Sequence, residues 1–105
     1  MAVMEISIIP IGTKDTSIGR YIVSSEKALK GSKIAGCEIT AMGTLLEAPS
    51  VQRLLQIAGK MHRRALGSGV KRVVTHILID DRKDGKLTIK GKADSLKRRL
   101  GMCMP

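Results

Sequence analysis

Three hydroxyl side chains, Ser7, Thr40 and Thr44, each stand within three positions of a carboxylate, Glu5, Glu38 or Glu47, in stretches rich in aliphatic residues. A fourth hydroxyl, Thr75, sits in the run KRVVTHILIDDRKD. Residues of these types, projecting from strands into a largely apolar cavity, can hydrogen-bond a small polar heterocycle, and a carboxylate among them can neutralise a cationic ring. That requires the sheet surface away from the helices to form a cavity with another subunit. A satisfied polar layer inside an oligomer interface accounts for the same residues equally well.

Other chemistry finds little to build with. His62 and His76 lie on either side of the turn Gly67-Ser68-Gly69, and a metal site needs three or four convergent ligands that no Cys or carboxylate spacing supplies. A hydrogen-bonded structural histidine is the plainer account of both, against an enzyme that uses His62 as acid or base. No serine sits in a Gly-x-Ser-x-Gly elbow, and neither a dinucleotide fingerprint nor a phosphate loop ending in Gly-Lys-Ser/Thr is present. The segment IGTKDTS carries Lys14 before a predicted helix, but an ordinary strand-to-helix connection explains it. The expectation is therefore no catalytic residue, no metal and no cofactor, and a protein that is not an enzyme.

The elements that would position these residues follow from periodicity. Val3 to Ile9 alternates, with Met4, Ile6 and Ile8 on one face and Val3, Glu5, Ser7 and Ile9 on the other, and Pro10 is expected to end this strand. Ile18, Tyr21, Ile22, Ser25 and Leu29 recur at helical spacing, which predicts a helix from about Ser17 to Lys30. Ile34 to Met42 and Thr44 to Glu47 read as two strands of a hairpin around Gly43. Pro49 and Ser50 open a second helix whose stripe is Val51, Leu54, Leu55, Ala58, Met61 and Ala65, closed by the Gly67-Ser68-Gly69 turn. Arg72 to Ile79 is the last strand, enriched in Val, Ile and Thr. Thr88 caps a short basic helix with Ile89, Ala93, Leu96 and Leu100 at spacings of four, three and four.

Strand, helix, strand, strand, helix, strand and a terminal helix make an α+β, ferredoxin-like βαββαβ sandwich, a four-stranded antiparallel sheet with helices on one face. The 105 residues suit a single domain spanning 1–105. The last strand is apolar on both faces, which asks for cover on both sides, and a second subunit is the economical cover. Tyr21 is the single aromatic residue, so aliphatics and six Met must fill the core.

A formal charge of +10 attracts polyanions. Nucleic acid is thus a candidate partner, but with one aromatic ring there is almost nothing on which bases could stack. Two cysteines without partners at ligand spacing suit a reducing cytoplasm. The apolar start MAVMEISIIP lacks a basic leader and is too short to span a bilayer, so no membrane association is expected.

The segments SIIPIG, MGTLLE, Met61-His62, KRVVTHILIDDRKD and LTIKGKADSL, in this order, resemble the small thiamine-binding protein family over almost the whole chain, from Val3 to about Leu100. The resemblance implies a cytoplasmic, ferredoxin-like, non-catalytic protein that binds thiamine or its hydroxymethylpyrimidine moiety and assembles as a homotetramer of two dimers. By matching motif it implies ligand contacts at Ser7, Thr44, Glu47 and Thr75, with Glu47 as the counter-charge or acceptor; Thr40 is added from strand geometry. Ala48-Pro49 follows the motif glutamate where the family often has Gly, which stiffens that loop. The basic balance of the chain fits a phosphorylated pyrimidine or thiamine phosphate better than a bare cation.

Overall fold

The computed structural model describes residues 1–12, 27–29, 31, 34–85 and 88–100. Its strands are β1 (Ala2–Ile11), β2 (Gly36–Ile39), β3 (Thr44–Ala48) and β4 (Arg72–Asp81), and its helices are α1 (Val51–Leu66) and α2 (Ile89–Leu100). The helix predicted from Ser17 to Lys30 falls outside the described residues except for a 3₁₀ turn at Lys27–Leu29. The four strands form one antiparallel sheet in the order β2-β3-β1-β4, the arrangement that the predicted α+β, ferredoxin-like order requires.

Register assigns the two alternating sets of each strand to a side. Met4 pairs with Leu46 and Ile79, Ile6 with Thr44 and Ile77, and Ile8 with Thr75. These residues share the face on which α1 packs, because Met4, Ile6, Leu46, Leu54, Ile57 and Met61 are the largest fully buried side chains and form one cluster. Such a core of aliphatics and Met needs no aromatic residue, since unbranched thioethers fill irregular gaps. The opposite, open face carries Val3, Glu5, Ser7, Ile9 and Ile11 from β1, Leu45 and Glu47 from β3, and Val74, His76, Leu78 and Asp80 from β4.

Three local expectations are revised. Pro10 does not end β1 but continues it opposite Val73. β3 pairs with β1 only from Ala2 to Ile6, so beyond Ile6 that side of β1 lacks a described strand neighbour and a missing N–H is tolerated. β2 is only four residues long. Thr40 turns the chain beyond it, its hydroxyl donating to the Gly43 carbonyl at 2.7 Å and accepting from the Gly43 N–H at 3.1 Å. In α1 the buried stripe takes Ile57 in place of Leu55, which is half exposed. Positions 54, 57, 58, 61 and 65 trace one helical face more closely than a stripe containing 55.

Ser50 caps α1 from an extended backbone, its hydroxyl accepting from Arg53 N–H at 3.2 Å. At the start of α2, Thr88 accepts from Gly91 N–H at 2.9 Å, the cap read from the sequence. The face α2 takes is the open one. Glu47 and Asp80, both on that face, hold its first turn, as described below. The sheet is thus covered by α1 on one side and, over part of its area, by α2 on the other.

Candidate functional site

The floor of the site is a two-by-four block of open-face residues. Glu38 of β2, Leu45 of β3, Glu5 of β1 and Leu78 of β4 are opposed in one row; Gly36, Glu47, Val3 and Asp80 are opposed in the next. Within the first row carboxylates alternate with leucines. Strand spacing puts the backbones at Glu5 and Glu38 about 10 Å apart with Leu45 between them. Above this floor α2 contributes Ile89, Lys92, Ala93 and Leu96, enclosing a groove of about 380 Å³. That volume lies in the lower part of the range of small-molecule sites.

The four carboxylates have different commitments. Glu47 Oε2 accepts from Ile89 N–H at 2.8 Å, at the N-terminus of α2, where a negative charge also meets the positive end of the helix dipole. Gly36 makes room for it: a Cβ built there would lie 2.8 Å from Glu47 Cδ. Asp80 accepts from Lys92 Nζ at 2.5 Å, with both side chains about half exposed. Glu5 and Glu38 have no hydrogen-bond or ion-pair partner among the described residues. A carboxyl side chain on a largely apolar floor is open to a ligand that brings a positive charge or N–H donors.

The five residues selected from the sequence do not converge on one surface. Ser7 and Glu47 lie on the open face, Ser7 opposite His76 and beyond the groove, Glu47 at its α2 end. Thr44 and Thr75 lie on the α1 face. Thr44 is buried beside Ile6 and Ile39, and Thr75 Oγ1 shares a hydrogen bond of 2.6 Å with His62 Nδ1 of α1. His62 is accordingly the hydrogen-bonded histidine expected. Thr40 is exposed and its hydroxyl is taken up by the turn to Gly43. Glu5 and Glu38, which the sequence offers beside these hydroxyls as acceptors or counter-charges but which are not among the five, line the groove together with Asp80. Asp80, Leu78 and Lys92 were not selected at all; alternation placed Asp80 and Leu78 together, but nothing local indicated that a helix from the C-terminal segment would cross them.

Elsewhere, Arg82 Nε donates to Asp84 Oδ1 at 2.8 Å in the exposed bend after β4. That hydrogen bond holds the Asp84 carboxyl below the usual carboxylate range and raises Arg82 in turn. With the Asp80–Lys92 pair, this makes the acidic-basic run after β4 a structural corner. Among the described residues no three His, Cys, Asp or Glu side chains assemble as a metal-ligand set, and no helix is long and apolar enough to cross a membrane. Lys60, Arg63 and Arg64 gather with Gly67 in a shallow basic depression at the end of α1.

A four-stranded β2-β3-β1-β4 sheet with one helical layer on its core face and a carboxylate-bearing groove under a C-terminal helix defines a small α+β protein of the ferredoxin-like class. Within that class the sequence matches the model of the thiamine-binding protein family over residues 4–97, and the chain belongs to that family. A UPF0045 protein of Methanothermobacter thermautotrophicus is 36% identical over 100 residues, covering 95% of this chain and all of the relative. The crystal structure of the hypothetical protein MJ1052 of Methanocaldococcus jannaschii superposes with a TM-score of 0.81 at 35% identity, covering 90% of this chain and 94% of that one. A Thermotoga maritima protein, TM0486, provisionally assigned to thiamine biosynthesis or salvage, shares the fold with a TM-score of 0.74 at 19% identity, over 90% of this chain and 97% of that one.

Proposed function

We propose that this chain binds thiamine or a related pyrimidine without transforming it, in the groove between the open face of the sheet and α2. The observation that carries this reading is the pair Glu5 and Glu38, two carboxylates without a partner among the described residues that flank Leu45 on a largely apolar floor, in a chain whose formal charge is +10. Screening acts over about 8 Å at physiological salt, so these nearby carboxylates outweigh the distant basic surface for a ligand seated between them. A flat aminopyrimidine or thiazolium ring can lie on Leu45 and Leu78 while its N–H groups or positive charge meet the carboxylates. Membership of the thiamine-binding family supports the same ligand class.

In this reading Glu47 borders the ligand through the oxygen it does not use on α2, and Ser7 faces the same side of the sheet. Thr40, Thr44 and Thr75 act from behind, by holding the β2–β3 turn, the core and the α1 contact. The protein works as a single domain of residues 1–105 in the cytoplasm, as a homo-oligomer. Exposed Ile9, Ile11 and Val74 on the uncovered part of the open face supply an apolar surface for a second copy, and a dimer of dimers follows if two such contacts form.

Isothermal calorimetry with thiamine, its phosphates and hydroxymethylpyrimidine tests the assignment. Heat of binding is expected with at least one of them, and Glu5→Gln or Glu38→Gln should weaken it about tenfold, the worth of one hydrogen bond to a charged group. Absence of heat and of any thermal shift with all of these compounds would sink it.

A further inference from the structure

The groove has two walls of opposite charge. Its floor holds Glu5, Glu38 and Asp80, and its roof holds Lys92 on a helix whose last turn carries Lys97, Arg98 and Arg99. We infer that the groove is built for a zwitterionic ligand, a cationic heterocycle carrying a phosphate, and that Lys92 is the residue that selects the phosphorylated form. This rests on the assignment of a thiamine-type ligand to the same groove.

The Asp80–Lys92 pair is the place where such a ligand enters. It spans floor and roof at 2.5 Å, and with both side chains about half exposed it is weakly held and opens readily. A ligand that is only cationic satisfies Asp80 but leaves the Lys92 ammonium next to a second positive charge. A ligand that is only anionic does the reverse, presenting a negative charge to Asp80. A ligand bearing both charges inserts between the two side chains and replaces one ion pair with two, and the phosphate, at about −1.5 to −2 near neutral pH, brings a surplus of negative charge that Lys92 meets. Glu5 and Glu38 then fix its orientation, because the cationic ring is drawn along the floor away from α2 and the phosphate is left at the roof. There Lys92 offers three N–H donors to the phosphate oxygens. The positive field of the whole chain also raises the encounter rate of a phosphate-bearing ligand over that of a bare cation.

Calorimetry of thiamine and thiamine monophosphate against the wild-type chain, Lys92→Gln and Lys92→Arg tests the inference. The wild type is expected to hold the monophosphate about tenfold more tightly than thiamine, as one charge-assisted hydrogen bond gives. Lys92→Gln should erase that preference, and Lys92→Arg should keep it. Equal affinity of the wild type for both compounds, or a preference that survives in Lys92→Gln, overturns the role of Lys92 and leaves the thiamine-type assignment standing. Parallel loss of both ligands in Lys92→Gln and Lys92→Arg overturns it too, since the residue then serves only to dock the helix. No heat from either compound on the wild type overturns the inference; the thiamine-type assignment falls with it only when hydroxymethylpyrimidine and the other thiamine phosphates also give neither heat nor thermal shift.

Discussion

Thr75 shows how one side chain changes meaning with its surroundings. Composition alone makes it a β-former in a Val- and Ile-rich strand, and the family motif makes it a ligand contact. The 2.6 Å hydrogen bond to His62 instead ties β4 to α1 on the core face of the sheet. Thr75→Val keeps the shape of the residue, removes that bond and leaves a half-buried imidazole nitrogen without its partner, at a cost of about 1 kcal/mol. Denaturant unfolding should register this loss, and a Thr75→Val, His62→Ala cycle should show that the two substitutions are not additive. Ligand affinity should be unchanged; its collapse with stability intact would restore Thr75 as a contact. Strand alternation placed Thr75 in one set with Val73, Ile77 and Ile79 without assigning that set to a side. Only its pairing with Ile8 does so.

At the scale of elements, the short α2 organises the site. Its cap at Thr88 and its apolar positions Ile89, Ala93 and Leu96 were readable as local signals. The surface it chooses is met at its first turn by two residues far away in sequence, Glu47 on β3, which accepts from Ile89 N–H, and Asp80 on β4, whose half-exposed pair with Lys92 adds little. Gly36 belongs to the same device, because the absence of a side chain there leaves the Glu47 carboxylate its path to Ile89. Gly36→Ala should therefore push Glu47 aside and loosen the first turn of α2, costing about 1–2 kcal/mol through the lost charge-assisted hydrogen bond and helix-dipole contact. In a Glu47→Ala background the same substitution should cost little. Thermal unfolding of the four proteins would measure this, and a full cost in both backgrounds would show that Gly36 matters for another reason.

For the whole molecule the consequence lies in how apolar and charged surfaces are distributed. Four of the acidic residues, Glu5, Glu38, Glu47 and Asp80, share the open face, whereas the end of α1 is basic. β4 lies at one edge of the sheet, and the half of the open face that α2 leaves uncovered presents Ile9, Ile11 and Val74 to solvent. Val74→Lys places a charge in the middle of that strip, opposite Ile9. Sedimentation of the wild type as an oligomer and of Val74→Lys as a monomer is expected, because burying an unpaired ammonium in an apolar contact is strongly unfavourable. A monomeric wild type would show that the strip is no self-association surface.

The sequence by itself determined the kinds of elements and most of their order, because apolar periodicity, caps and turn residues act over a few positions. It also contained the acidic and hydroxyl residues from which the candidate site was chosen. The tertiary structure decided which of them meet. A period of two sorts strand residues into two sets but leaves the sides unnamed, and the β1–β3 and β1–β4 registers put Glu5 and Glu47 on one face and Thr44 and Thr75 on the other. Lys92 enters the site only because α2 folds across strands that end at positions 48 and 81. No local pattern encodes that approach, since it arises from hydrogen bonds and ion pairs between segments separated by many residues.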